Sequence, residues 1–214
     1  MARDELQAAV DAAGEAGKLI LQFYGGDYDV RNKGEDPSKG KLTGDALRSS
    51  DYDPVTSADE AADAHLKKAL SDAFPQHGWL SEETVDSPER LSASSVWIVD
   101  PIDGTKEFLE GIPEFAVSIA LVEDGEPTVA ALYNPAADEM YTAIKGGGTF
   151  LNGQRVFCSE LVDLSDASLI VSRSEKARGE VDAIEPFLGE VRPVGSVAYK
   201  LAVVAAGGAD LNVS

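Results

Sequence analysis

The chain has 214 residues, with 38 acidic and 18 basic side chains, a formal charge of −20 at pH 7, and 43 % apolar residues. That length and apolar share are enough for one large domain or two small ones around a sizeable core, and they exclude a disordered chain. The charge repels nucleic-acid polymers and anionic membranes, and no apolar run approaches the ~18 residues that a membrane helix needs.

The first element predicted is an amphipathic helix over Asp4 to Tyr24, with Leu6, Ala9, Val10, Ala13, Gly17, Ile20, Leu21 and Tyr24 on one stripe and Gly25-Gly26 closing it. The charged opening "MARDELQAAV" carries no signal-peptide core. The polar stretch from Val30 to Tyr52 reads as a long loop, in which Lys33, Lys39, Lys41 and Arg48 are solvated charges or contacts to a second phosphate. A second helix is expected from Ser57, with "SADE" as its capping box. Its apolar face is Ala61, Ala62, His65, Leu66, Ala69, Leu70 and Phe74. On this reading His65 is a packing residue and His77 lies in a turn after Pro75.

Strand-like runs follow: "VWIVD", "AVSIALVED", "TVAALYN" and "MYTAI", with "DGEP" as a hairpin turn and "KGGGTFLNG" as a tight turn between strands. Trp97 is expected in the core. Beyond Cys158 the order becomes strand, helix around Glu180, strand, helix over "SVAYKLAVVAA", then the strand-like "ADLNVS". The expected class is therefore layered α/β or α+β, divided softly into residues 1–158 and 159–214. Cys158 is the one cysteine, so it makes no intrachain disulfide. It reads as a buried small residue of a cytoplasmic protein.

The chemistry gathers at "WIVDPIDGTKEF". Asp100 ends an apolar strand, Pro101 stiffens the exit, and a turn returns Asp103 beside Asp100 with the Ile102 carbonyl facing the same point. Gly104 permits an unusual backbone and a close approach, and Thr105 starts a short helix whose amides face a phosphate. Hard oxygen donors without His or Cys suit Mg²⁺ and metal-assisted attack of water on a phosphomonoester. A solvated acidic turn is the competing reading of the Asp pair alone. "PVTSAD" and "WLSEE" add Asp59 and Glu82 to an ordered series, Asp59, Glu82, Asp100, Asp103 and Thr105.

Together with "YNPAADEMYTAIKGGGTFLNG", these segments resemble the inositol monophosphatase superfamily, which includes 3′(2′),5′-bisphosphate nucleotidases. The resemblance implies an α-β-α-β-α sandwich and a Mg²⁺-dependent, lithium-sensitive phosphatase holding two or three ions. By that likeness Glu82, Asp100, the Ile102 carbonyl and Asp103 hold metal, with Glu82 also counted in the catalytic group. Asp59 and Thr105 orient water, the Gly104 and Thr105 amides bind phosphate, and Gly195-Ser196 flank the substrate.

"DGTKEF", with Lys106 and Glu107, is more like the bisphosphate nucleotidases, making 3′-phosphoadenosine 5′-phosphate the first expected substrate. Inositol-1-phosphate or a sugar phosphate is the alternative. Family members are commonly homodimers. The family continues beyond "ADL" to a Trp-Asp metal ligand that this sequence does not reach, so an incomplete, non-catalytic metal or anion binder is the reading from another class. A haloacid-dehalogenase-type phosphatase is disfavoured because its two aspartates are one residue closer together.

Overall fold

The computed structural model describes residues 2–26, 29–32 and 54–214. The expected loop contacts at Lys33, Lys39, Lys41 and Arg48 lie outside those residues.

Helix α1 (Ala2–Phe23) and α2 (Ser57–Ala73) lie on one face of a seven-stranded sheet, and a two-stranded pair, β1 (Val30–Asn32) and β2 (Pro54–Thr56), leads into α2. The sheet contains β3 (Gly78–Ser81), β4 (Ser95–Asp103), β5 (Ala116–Glu123), β6 (Glu126–Asn134), β7 (Glu139–Ile144), β8 (Gly148–Leu151) and β9 (Gln154–Val156), in that spatial order. Only β3 and β4 are parallel; the remaining pairs are antiparallel. A short helix α3 (Thr105–Glu110) follows β4.

The second, parallel sheet is β11-β10-β12, made of β10 (Ser168–Val171), β11 (Glu190–Pro193) and β12 (Leu211–Val213). Helix α4 (Arg173–Ala177) follows β10, and α5 (Val197–Ala205) joins β11 to β12.

Period-two burial along the central strands assigns their two faces. Val117, Ile119, Leu121, Val129 and Ala131 meet Ala9, Ala13, Ala16, Ile20, Leu66 and Leu70 from α1 and α2. From the other face, Ala116, Leu132 and Tyr141 pack with Ile170, Val194 and Val203. Leu169 and Val171 form a third core with Val181 beyond the parallel sheet. The layers are thus α-β-α-β with helix and turns outside, the sandwich expected. Among the described residues no helix is long and apolar enough to cross a membrane.

Five local expectations are corrected. The buried stripe of α1 is Ala9, Ala12, Ala13, Ala16, Gly17 and Ile20, while Leu21 is 40 % exposed. Small residues face the sheet because the helix sits close: a Cβ at Gly17 would stand 2.5 Å from Tyr133. The capping box of α2 is Thr56 with Asp59, one residue earlier than "SADE". Strand β4 runs on to Asp103, because antiparallel pairing resumes at Asp103 with Ala116 after an irregularity from Asp100. That irregularity is also where a proline without a ladder donor is tolerated.

The helix expected around Glu180 is α4, which starts on a Ser172–Glu175 capping box and stops before Gly179, whose φ is +74°. Cys158 is exposed beyond the end of β9 and is not a core residue. Trp97 is buried as expected. His77 stacks on Phe74 and sets Nε2 3.2 Å from Glu5 Oε1, both side chains almost fully enclosed.

Candidate active site

The parallel register of β3 on β4 pairs Ser81 with Val99, and the Glu82 amide donates to the Val99 carbonyl at 3.3 Å. Glu82 is therefore carried alongside Asp100, with its side chain exposed. Asp63, one turn beyond Asp59 on α2, secures this segment by accepting from the Ser81 and Thr84 hydroxyls. Sequence reading passes over Asp63. The available signal is an acid flanked by Ala62 and Leu66 on a buried helix face.

Past Asp100 the chain folds tightly. Asp100 Oδ1 accepts from the Ile102 amide at 3.1 Å, a local turn that competes with strand pairing. Gly104 then takes φ +98°, and a Cβ there would lie 2.9 Å from the Glu114 carbonyl and 3.2 Å from Ser196 Cβ. Glycine is required here by the backbone and by packing on the inner side of the turn. Thr105 opens α3 immediately afterwards.

Asp59 is almost fully buried, and its two oxygens are divided between two tasks. Oδ2 accepts from the Thr56 amide at 2.8 Å and the Thr56 hydroxyl at 2.5 Å, completing the cap of α2. Oδ1 lies 3.1 Å from the Thr105 hydroxyl, which is also 3.0 Å from the Ile102 carbonyl. One hydroxyl proton serves one of these acceptors at a time. Burial pushes the Asp59 carboxyl up to about 6, the Thr56 and Thr105 donors pull it down, and the neighbouring Glu83 charge adds to the rise.

Asp103 faces the other way. Its Oδ2 accepts from Ser196 Oγ at 2.5 Å and from the Ala198 amide at 2.6 Å, so it caps α5 from a distant strand. Gly195 is held next to it. Its amide donates to Glu114 Oε2 at 2.6 Å, and a Cβ at Gly195 would overlap Glu107 Cγ at 2.2 Å. Arg173, at the start of α4, bridges Glu114 at 2.7 Å and Glu107 at 3.9 Å. Burial opposes the charge on Glu114, but the Arg173 guanidinium and the Gly195 amide outweigh it and hold its carboxyl below the ordinary value. For Glu107 burial dominates and its carboxyl is raised. This Glu107–Glu114–Arg173 bridge ties α3 and the segment after it to α4 and, through the Gly195 amide, to the segment before α5, and no local pattern announces it.

The expected site residues thus fall into two arms around one turn. Asp59, Thr105 and the Ile102 carbonyl form one; Asp103, Ser196 and Gly195 form the other. Asp100 lies between them, and Glu82 stands at the neighbouring strand end. Among the described residues, no three His, Cys, Asp or Glu side chains converge closely enough to hold a metal ion by themselves, because Asp103 is turned to α5 and Asp100 to Ile102. The donor set itself fits a hard cation, since every candidate atom is oxygen.

The family model described as the inositol monophosphatase family matches residues 2–214. The chain is 38 % identical to an inositol-1-monophosphatase of Rhizobium meliloti, a match covering 98 % of this chain and 76 % of the relative. It is 32 % identical to inositol monophosphatase 1 of Bos taurus, covering 94 % and 72 %. Among solved structures it resembles the extragenic suppressor protein suhB of Bartonella henselae, with a TM-score of 0.82, 32 % identity and coverage of 97 % and 78 %. A Thermotoga maritima IMPase gives a TM-score of 0.78 at 28 % identity, covering 96 % and 74 %. The chain belongs to the inositol monophosphatase family, whose members are phosphoric monoester hydrolases.

Proposed function

We propose that this chain hydrolyses a small phosphomonoester with Mg²⁺ as its metal, and that the substrate is an inositol monophosphate. The observation that carries the reading is the Thr105 hydroxyl, placed between Asp59 Oδ1 and the Ile102 carbonyl at 3.1 and 3.0 Å. When Thr105 donates to Asp59, its oxygen lone pairs remain to accept a hydrogen from water and set that water's orientation. A carboxyl pushed up to about 6 is also a better proton acceptor than an ordinary aspartate.

Glu82, Asp100, the Ile102 carbonyl and Asp103 would hold two or three Mg²⁺ ions, and lithium would inhibit by competing there. When bound, Mg²⁺ supplies Lewis-acid activation of water and neutralises charge on the phosphate. The amides of Gly104 and Thr105, where the chain leaves β4 for α3, would bind the phosphate. Gly195 and Ser196 would flank the alcohol half of the ester, positioned through Glu114 and Asp103.

The names of the relatives favour inositol phosphates over 3′-phosphoadenosine 5′-phosphate. Glu107, engaged with Arg173 and packed on Gly195, is structural here, so the Lys106-Glu107 pair does not decide between the two substrates. The test is phosphate release from inositol-1-phosphate, 3′-phosphoadenosine 5′-phosphate and fructose 1,6-bisphosphate, with Mg²⁺ and with or without lithium. Fastest lithium-sensitive release from inositol-1-phosphate is expected. Preference for the bisphosphate nucleotide would overturn the substrate, and no release from a folded chain would overturn the activity. Homodimerisation belongs to the same proposal and is read by sedimentation equilibrium.

A further inference from the structure

On the face of the seven-stranded sheet away from α1, a cavity of about 350 Å³ lies between β7, β11 and α5. That is within the range of small-molecule sites. Its polar wall centres on Glu139, whose Oε2 accepts from the Tyr141 hydroxyl at 2.7 Å and the Tyr199 hydroxyl at 2.8 Å. The two rings meet edge to face, with centroids 6.2 Å apart at 74°. Leu151 and Val203 contribute apolar lining.

Charge decides what such a cavity accepts. Glu139 has no cationic partner among the described residues, and both tyrosines are neutral donors. Burial raises both hydroxyls first, and the bond to Glu139 and its charge raise them further, so they stay protonated. The Glu114 charge reaches Tyr199 as well. Arg192 also lines the cavity, but its guanidinium donates to the Gly208 carbonyl at 2.8 Å and pulls on Glu114. The second oxygen of Glu139 accepts no hydrogen bond from the described residues.

We propose that this cavity binds a small organic ammonium ion, a primary amine on a short apolar body. Its N–H groups match the open carboxylate oxygen and the lone pairs of the Tyr141 phenol oxygen, the Tyr199 oxygen being shared with the Asn134 amide, and aromatic rings attract cations. The apolar body covers Leu151 and Val203. Anions are opposed by Glu139, while Arg173 and Arg192 offset Glu114, and a bare divalent ion lacks the three convergent ligands it needs. The net charge of −20 concentrates cations at the surface from which the cavity fills.

The test is calorimetric titration of the full chain with n-butylammonium chloride, against 1-butanol and sodium butyrate at matched ionic strength. Glu139→Gln keeps the shape and removes the charge; Ala206→Leu fills the cavity from its apolar lining. One-site binding of butylammonium is expected, with little heat from the alcohol or the acid, and about ten-fold or greater weakening in each variant that folds by circular dichroism. Absence of saturable butylammonium binding, equal binding of butanol, or undiminished binding in the folded variants would each overturn the site. None of these readouts depends on phosphatase activity.

Discussion

Asp103 Oδ2 and Ser196 Oγ lie 2.5 Å apart across a sequence separation of 93 residues. The same carboxylate oxygen accepts the Ala198 amide, so one aspartate at the end of β4 fixes the start of α5. Through it, the turn that carries the candidate ligands and the segment that flanks the substrate become one unit. Asp103→Asn should lower phosphate release by about 100-fold or more, since a neutral amide is a poor metal ligand. It should cost only about 1 kcal/mol of stability, because the amide oxygen still accepts one bond. Kinetics paired with urea unfolding checks this, and activity near wild type in a folded variant would remove Asp103 from the metal set.

Gly104 should tolerate no side chain. Its φ of +98° strains any L residue, and an added Cβ would stand 2.9 Å from the Glu114 carbonyl, so backbone strain and a clash combine. Gly104→Ala is expected to cost about 1–3 kcal/mol of unfolding free energy in urea. Gly111→Ala is a useful control, since its φ is also positive but nothing lies within 4 Å of the added Cβ. The first substitution should be clearly the worse of the two; equal losses would show that packing at Gly104 adds nothing.

Lys200 is a buried cation that the proposed chemistry does not use. Its Nζ lies 2.8 Å from Ser214 Oγ, 3.2 Å from the Val213 carbonyl and 3.6 Å from Glu175, joining α5 to β12 and α4. Lys200→Met strands Glu175, although the Ser172 cap still donates to that carboxylate. The expected loss is about 2–4 kcal/mol by urea unfolding. A loss below about 0.5 kcal/mol would mean that the pair does no more than offset its own desolvation.

His77 predicts a pH dependence of stability. Burial lowers its pKa from 6.5, against the opposing pull of Glu5 and Glu123. As pH falls through 6.5 the unfolded chain takes up this proton before the folded one does, so stability drops on the acid side and is full above it. The melting temperature should therefore fall between about pH 7.5 and 5.5, and His77→Gln should make that fall shallower. A steeper fall in the variant would show that Glu5 holds the imidazole protonated in the folded state.

The order of elements is legible in the sequence because helix and strand periods are local. The acidic series is visible too, since Glu82 and Asp100 each end an apolar run, Asp103 follows in the turn, and Asp59 falls in the first turn of a predicted helix. What stays hidden is set by distant pairing. The extension of β4 to Asp103 depends on Ala116 across the sheet, whereas the cap of α2 is a local choice between Thr56 with Asp59 and Ser57 with Glu60. The packing of Glu107 against Gly195 and Arg173 joins positions far apart in the chain and has no local signal. Cys158 reads as buried beside Phe157, yet that phenylalanine is itself 69 % exposed beyond the last strand.

The most direct measurement is phosphate release from inositol-1-phosphate by the 214-residue chain, with and without Mg²⁺, beside Thr105→Ala. The expected result is Mg²⁺-dependent release that falls sharply in the variant while its unfolding curve stays close to wild type. Release that ignores Mg²⁺, or that survives loss of the Thr105 hydroxyl unchanged, would contradict the assignment of the Asp59–Thr105 pair to the attack of water.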